Sequence, residues 1–199
     1  MSRVSLHTLP TILALLAVGA TGACAQEAVN AALLAKANGG HAVAQVAAGE
    51  AYAKAAEAAQ DPDEKSEDWN HAAEWYIKAA AQNNIAGEMH LAEAYSYGRG
   101  VARDKVKAAA WYRKAANQGD VGAQGTLGML YTMGQGVPQD DAEAYFWLDL
   151  AASADTPNRQ RYLTSRQNVG TRITTDQLSA VQRRLKKWKA EHTQPADTK

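Results

Sequence analysis

The chain has 199 residues, and its 21 lysines and arginines equal its 21 aspartates and glutamates. That balance argues against a general nucleic-acid binder, and the length suits one domain. Alanine is very common, Trp and Tyr are the main bulky residues, and Val-Ile-Thr alternation is nearly absent, a composition that favours helices.

The chain opens MSRVSLHTLPTILALLAVGATGACAQ. Arg3 supplies a basic start, residues 9 to 20 are mostly apolar and uncharged, and Ala23-Cys24-Ala25 is a small-x-small site. These features predict a secretory signal over residues 1–25 and a periplasmic or secreted protein. The apolar run is too short to span a bilayer, which takes roughly 20 residues. Cleavage after Ala25 would leave 20 basic and 21 acidic residues and no cysteine. Thiol chemistry and disulfides would then be absent. The alternative is an outer-membrane lipoprotein acylated at Cys24, although Thr21 stands where that pattern usually has Leu.

After the signal, residues 26–40 read as a lone helix that shields the open end of a set of repeated units. Residues 41–83 form a degenerate unit, 84–119 and 120–155 two regular units, 156–191 a closing helix pair, and 192–199 a loose tail. A 36-residue offset defines the units. It relates Trp75, Trp111 and Trp147, and also Leu91 to Leu127, Tyr95 to Tyr131 and Gly98 to Gly134. It also relates Gly100 to Gly136, Val101 to Val137, and Asp68 to Asp104 and Asp140. Periods of this length mark helical solenoids.

Each unit reads as two helices. Leu91 with Tyr95, and Leu127 with Tyr131, lie four residues apart and share a face of the first helix. Asp104 and Asp140 are strong N-caps for the second, which carries Ala108, Trp111 and Ala115 as one stripe. The joint between them reads GRGVARD at 98–104 and GQGVPQD at 134–140. Gly98 and Gly134 end the first helix, Gly100 and Gly136 allow close backbone approach, and Val101 and Val137 fill the gap between the helices. Phosphate-cradling glycine loops come after a strand and carry other endings, so a structural joint is the better reading.

The first unit is seven residues longer and lacks the glycine joint. Its first helix is expected to run through AKAAEAAQ to a stop at Asp61-Pro62. The stretch 61–72, DPDEKSEDWNHA, fails as a calcium loop because Ser66 replaces the required Gly and Ala72 the required Glu. It reads as a solvated acidic loop able to meet a basic partner. At the other end, Thr156-Pro157 is expected to start a helix that Gly170 ends. Thr174 and Gln177 form a capping box. Leu178, Val181, Leu185 and Trp188 form one apolar stripe on the last helix. Nine basic residues against Asp176 lie between Arg159 and Lys189. They give a charged outer face or a contact for anionic lipid, an envelope polymer or an acidic protein.

The pattern A-x-x-x-L-x-x-x-Y-x-x-G-x-G-V-x-x-D-x-x-x-A-x-x-W-Y-x-K-A-A runs from Gly87 to Ala116 and from Ala123 to Ala152. It resembles the Sel1-like repeat family, relatives of the tetratricopeptide repeats. Gly87 replaces the usual first Ala, and Leu148 and Leu150 stand in place of the Tyr and Lys after the third Trp. The resemblance implies an all-α, right-handed solenoid of stacked antiparallel helix pairs. It also implies a protein or peptide partner in a concave groove lined by the first helices. Residues off the Leu/Tyr stripe, Glu93 with Met129 and Tyr97 with Met133, are the groove candidates. For Tyr97 and Met133, inter-repeat packing is the competing reading.

No catalytic pattern appears. There is no G-x-S-x-G, no Ser-x-x-Lys and no H-E-x-x-H, and the histidines have no partner at metal-ligand spacing. The expectation is a non-enzymatic scaffold of the cell envelope without cofactor or metal. A peptidoglycan- or β-lactam-acting enzyme is the less favoured alternative, and the Sel1-like proteins tied to β-lactams are cysteine-rich, unlike this chain.

Overall fold

The computed structural model of the chain describes residues 31–192. The signal segment, Cys24 and residues 193–199 lie outside them. The described residues form helices in series: α1 (Ala31–Asn38), α2 (Ala42–Ala58), α3 (Pro62–Ala80), α4 (Ile85–Tyr97), α5 (Lys105–Asn117), α6 (Val121–Met133), α7 (Asp141–Ser153), α8 (Arg159–Gly170) and α9 (Thr175–His192). Each of α1 to α8 packs chiefly on its neighbours in sequence, α9 packs back on α7, and no strand occurs among the described residues. This is the all-α solenoid of stacked helix pairs.

Two kinds of joint repeat. Between the helices of a regular pair, Gly98 (φ 74°) and Gly134 (φ 65°) take the left-handed conformation that ends α4 and α6. Asp104 then caps α5 by accepting from Val106 and Lys107 N–H, and Asp140 caps α7 by accepting from Ala142 and Glu143 N–H. Each carboxylate meets two amides that have no partner within the helix. Between pairs, Gly40, Asn83 and Gly119 take positive φ, and Asn84 and Asp120 cap α4 and α6. Val137 packs against the main core, half-buried.

The core is built from small residues locked by a few large ones. Ala72, Ala79, Ala108, Ala115, Ala144 and Ala151 are almost fully buried, and so are Leu91 and Leu127. Alanine at these places lets helix axes approach closely, and the aromatic rings fill the space between pairs. Trp75 and Trp147 are buried, but Trp111 is only half-buried. Its position in the 36-residue register therefore does not give it an equal environment. Lys114 Nζ lies 3.9 Å from its ring centroid, as Lys78 Nζ does over Trp75.

Several sequence expectations need correction. The acidic stretch 61–72 is not a loop: Asp61 caps α3 by accepting from Asp63 and Glu64 N–H, and Pro62 opens the helix. Asp63 and Glu64 sit in its first turn, where the helix dipole favours negative charge. Asp68, in register with two caps, lies inside α3. Second, α2 stops at Ala58, short of Asp61, so the extra residues of the first unit are shared between a longer α2 and an earlier α3. Third, Pro157 sits in the turn before α8, which starts at Arg159 without a side-chain cap.

At the closing end, Gln177 N–H donates to Thr174 Oγ1 and Thr174 N–H donates to Gln177 Oε1, the expected capping box. Val181 and Leu185 are buried and Trp188 packs against the core. His192 is the last residue of α9 and not part of a tail: its ring stacks on Trp188 and lies 3.2 Å from the Asn117 carbonyl oxygen.

Candidate functional site

The first helices α2 and α4, with α3 behind them, enclose a cleft of about 210 Å³. Glu50, Ala53, Lys54 and Glu57 recur at helical spacing and turn one face of α2 into it. His90, Glu93 and Ala94 do the same from α4, Trp69, Ala73 and Tyr76 from α3, and Arg99 from the joint after α4.

His90 lies between two carboxylates. Its Nε2 is 3.1 Å from Glu50 Oε1, and its Nδ1 is 3.6 Å from Glu93 Oε2. Hydrogen bonding to Glu93 raises its pKa, burial opposes this, and Glu50 adds to the rise. Its ring stacks on Tyr76 with centroids 4.6 Å apart. Tyr76 is 4% exposed, and its hydroxyl pKa is pushed well up by burial and by Glu50, Glu93 and Glu57. Gly49 makes room for that ring, since a Cβ there would stand 2.4 Å from Tyr76 Cε1.

Arg99 closes the cleft at one end. Its guanidinium lies 4.6 Å from the Trp69 ring centroid and 5.1 Å from that of Tyr97, with Glu57 Oε1 3.9 Å away. The lining thus carries three carboxylates, two permanent cations and one imidazole over an aromatic floor. That arrangement can hold a polar chain and favour a cationic group. Among the described residues, no three His, Cys, Asp or Glu side chains are grouped to hold a metal ion.

The four groove candidates scatter. Glu93 lines the cleft. Tyr97 is 68% exposed, sits under Arg99, and lines a second cleft of about 190 Å³ with Ser96, Arg103, Lys105, Tyr112 and Gln135. Met133 is 55% exposed, with its Sδ 3.8 Å from Gln135 Nε2, and lines neither cleft. Met129 is half-buried against the core, with Arg161 3.4 Å from its sulfur. The exposure of Tyr97 and Met133 runs against pure inter-repeat packing. Sequence reasoning missed Glu50, Tyr76, His90 and Arg99. The i, i+3 spacing of His90 and Glu93 was the one local signal available, because Glu50 meets His90 only through the fold.

The basic closing helix is tied to α7 by two of its cations. Arg184 pairs with Glu143, and Lys189 Nζ lies 3.2 Å from Asp149 Oδ2. Arg183 and Lys186 are exposed. No helix among the described residues is long and apolar enough to cross a membrane.

Comparison with known proteins is consistent with this architecture. The Sel1 repeat family matches residues 42–84, 85–120 and 123–155, more than half of the chain. No curated protein matches. Among solved structures, a protective antigen of uropathogenic Escherichia coli strains with an SLR fold is similar over 86% of this chain and 44% of its own. The two share 25% identity at a TM-score of 0.57. A Sel1 repeat protein from Oxalobacter formigenes is similar over 58% of this chain and 45% of its own, at 31% identity and a TM-score of 0.50. The chain therefore spans less than half the length of either solved protein.

Proposed function

This chain belongs to the Sel1 repeat family, and we propose that it is a non-enzymatic scaffold of the cell envelope that binds an extended peptide segment in the cleft between α2 and α4. Sel1 repeats typically serve protein–protein interaction. The observation that carries the assignment of a site is the convergence of Glu50, Glu57 and Glu93 on one aromatic-floored cleft. Stacked repeats present such extended concave surfaces. Three carboxylates against Lys54 and Arg99 favour a segment bearing lysine or arginine. Tyr97, on the far side of Arg99, would extend the contact towards the second cleft.

The envelope location rests on the amino-terminal sequence: Arg3, the apolar run 9–20 and Ala23-Cys24-Ala25 support export to the periplasm or beyond. Cys24, preceded by small residues, supports a second reading, a lipid-anchored assembly factor of the outer membrane. Labelling with a radioactive fatty acid separates the two. The exposed Arg183 and Lys186 offer a secondary contact for an anionic surface or envelope polymer.

Selection from a library of displayed unstructured peptides tests the groove. The expected result is enrichment of basic peptides that lose at least about tenfold in affinity against a Glu50→Lys/Glu93→Lys variant, about 1.4 kcal/mol. Equal binding by both proteins would sink the assignment, and turnover of peptidoglycan or a β-lactam would revive the enzyme reading.

A further inference from the structure

Three buried polar side chains, Gln45 (5% exposed), Glu88 (0%) and Gln124 (2%), occupy the same place in the first turn of α2, α4 and α6. In two of the three places the side-chain amide reaches back eight residues to the end of the preceding helix. Gln45 Nε2 donates to the Ala37 carbonyl at 3.2 Å, and Gln124 Nε2 to the Ala116 carbonyl at 3.3 Å. The same step from Glu88 leads to Ala80, the last residue of α3.

A side-chain oxygen at the first two sites also obeys the register, accepting from the next joint's glutamine. Gln82 Nε2 donates to Gln45 Oε1 at 2.7 Å, and Gln118 Nε2 donates to Glu88 Oε2 at 2.7 Å. Gln82 and Gln118 lie one repeat apart. Glu88 therefore keeps the acceptor half of the amide pattern and has the wrong group for the donor half. Its Oε1 is buried and has no hydrogen-bond partner. A carboxylate has only acceptors, whereas a carboxylic acid has one donor. The joint is also tight: a Cβ on Gly87 would stand 2.6 Å from Ala79 Cβ and 2.9 Å from Ala80 N.

We propose that Glu88 is held as the neutral acid, its Oε1 proton donated to the Ala80 carbonyl in place of the glutamine amide, so that the α3–α4 joint is a pH-sensitive hinge between the first and second repeats. Burial acts in the same direction, favouring the protonated form, while Lys114 of α5 and the Gln118 hydrogen bond oppose it. Glu50 of α2 is engaged with His90, and Lys78 at the end of α3 lies over the Trp75 ring. The carbonyl end of α3 disfavours a negative charge beside it, and the amide end of α4, whose first turn holds Glu88, works against that effect.

The folded chain then binds this proton more tightly than the unfolded chain does. The stabilisation is fully present below the range of an ordinary glutamate and is lost as pH rises through the folded-state value. Because α4 also carries His90 and Glu93, loosening its first turn changes the spacing of the cleft.

The test is an NMR titration of the full chain labelled with carbon-13 at the glutamate side-chain carboxyls, for wild type and Glu88→Gln. One carboxyl carbon is expected to remain protonated after the others have ionised, and to be missing from the variant. Thermal unfolding over roughly pH 5 to pH 9, where ordinary glutamates are ionised, should show Glu88→Gln gaining on wild type as pH rises. Gln118→Ala, which removes the donor to Oε2, should move the late transition to still higher pH. If all glutamate carbons titrate together in the ordinary range, or Glu88→Gln shows a constant deficit at every pH, the proposal is wrong.

Discussion

A Cβ on Gly136 would stand 2.0 Å from the carbonyl oxygen of Lys105, so the joint at the end of α6 rests directly on the start of α5. Gly100 repeats this contact against α3, where a Cβ would meet the Trp69 carbonyl oxygen at 1.9 Å. Both residues also have positive φ. The second glycine of each joint thus carries two constraints, a backbone conformation and an absence of space, and it links one pair to the pair before it.

Gly136→Ala should accordingly destabilise by about 2–5 kcal/mol, from left-handed strain and forced displacement of α5 together. Gly119 has positive φ but nothing near its missing Cβ, so Gly119→Ala should cost only about 1–2 kcal/mol. Urea denaturation of both variants measures the difference. Equal losses would show that the close approach contributes nothing.

The tryptophans should separate in the same experiment. Trp147 is 5% exposed and packs edge-to-face on Phe146. Trp147→Ala should cost about 3–5 kcal/mol, as for large core truncations. Trp111→Ala should cost clearly less because its ring is half-buried under Lys114. Equal effects would contradict the unequal burial.

Asp140 and Asp68 share the register, but only Asp140 caps a helix. Asp140→Ala should cost about 1 kcal/mol. Asp68→Ala should leave helix content and denaturation midpoint close to wild type, since Asp61 holds the cap of α3. A larger loss at Asp68 would overturn the placement of that helix start.

These contrasts show what the sequence carried and what it did not. The joints were readable because positive φ, close approach and amide capping each select a narrow residue type, so Gly98, Gly100, Asp104 and their repeats stand out. The start of α3 was not readable from the register, because Asp61-Pro62 and Asp68 are both plausible starts and local capping decided between them. Glu88 was obscured by its charge: a glutamate in a first turn usually faces water, and only the packed joint reveals it in a glutamine's place. The cleft required α2 and α4 to meet, so Glu50 and His90 carried no sign of each other. Glu93 and Met129 share a register position but not an environment, because Arg161 of α8 covers the latter.

His90 governs the pH behaviour of the cleft. Glu93 first, and Glu50 after it, raise its pKa against the effect of burial. The stabilisation from its proton is present below the ordinary histidine range and is lost as pH rises through the folded-state value. Loss of that proton also leaves the two carboxylates uncompensated, so affinity for a cationic peptide should rise across the same transition. Calorimetric titration against pH should show this rise in wild type and a flat profile in His90→Gln. A rise that persists in the variant would place the titrating group elsewhere.

The central claim is that the cleft between α2 and α4 is the binding surface. Amide chemical-shift mapping of the labelled protein with a selected basic peptide tests it most directly. The predicted result is a continuous set of shifts at Glu50, Glu57, His90, Glu93 and Arg99, extending to Tyr97. Shifts confined to the outer face of α9 around Arg183 and Lys186, with the cleft unmoved, would contradict it.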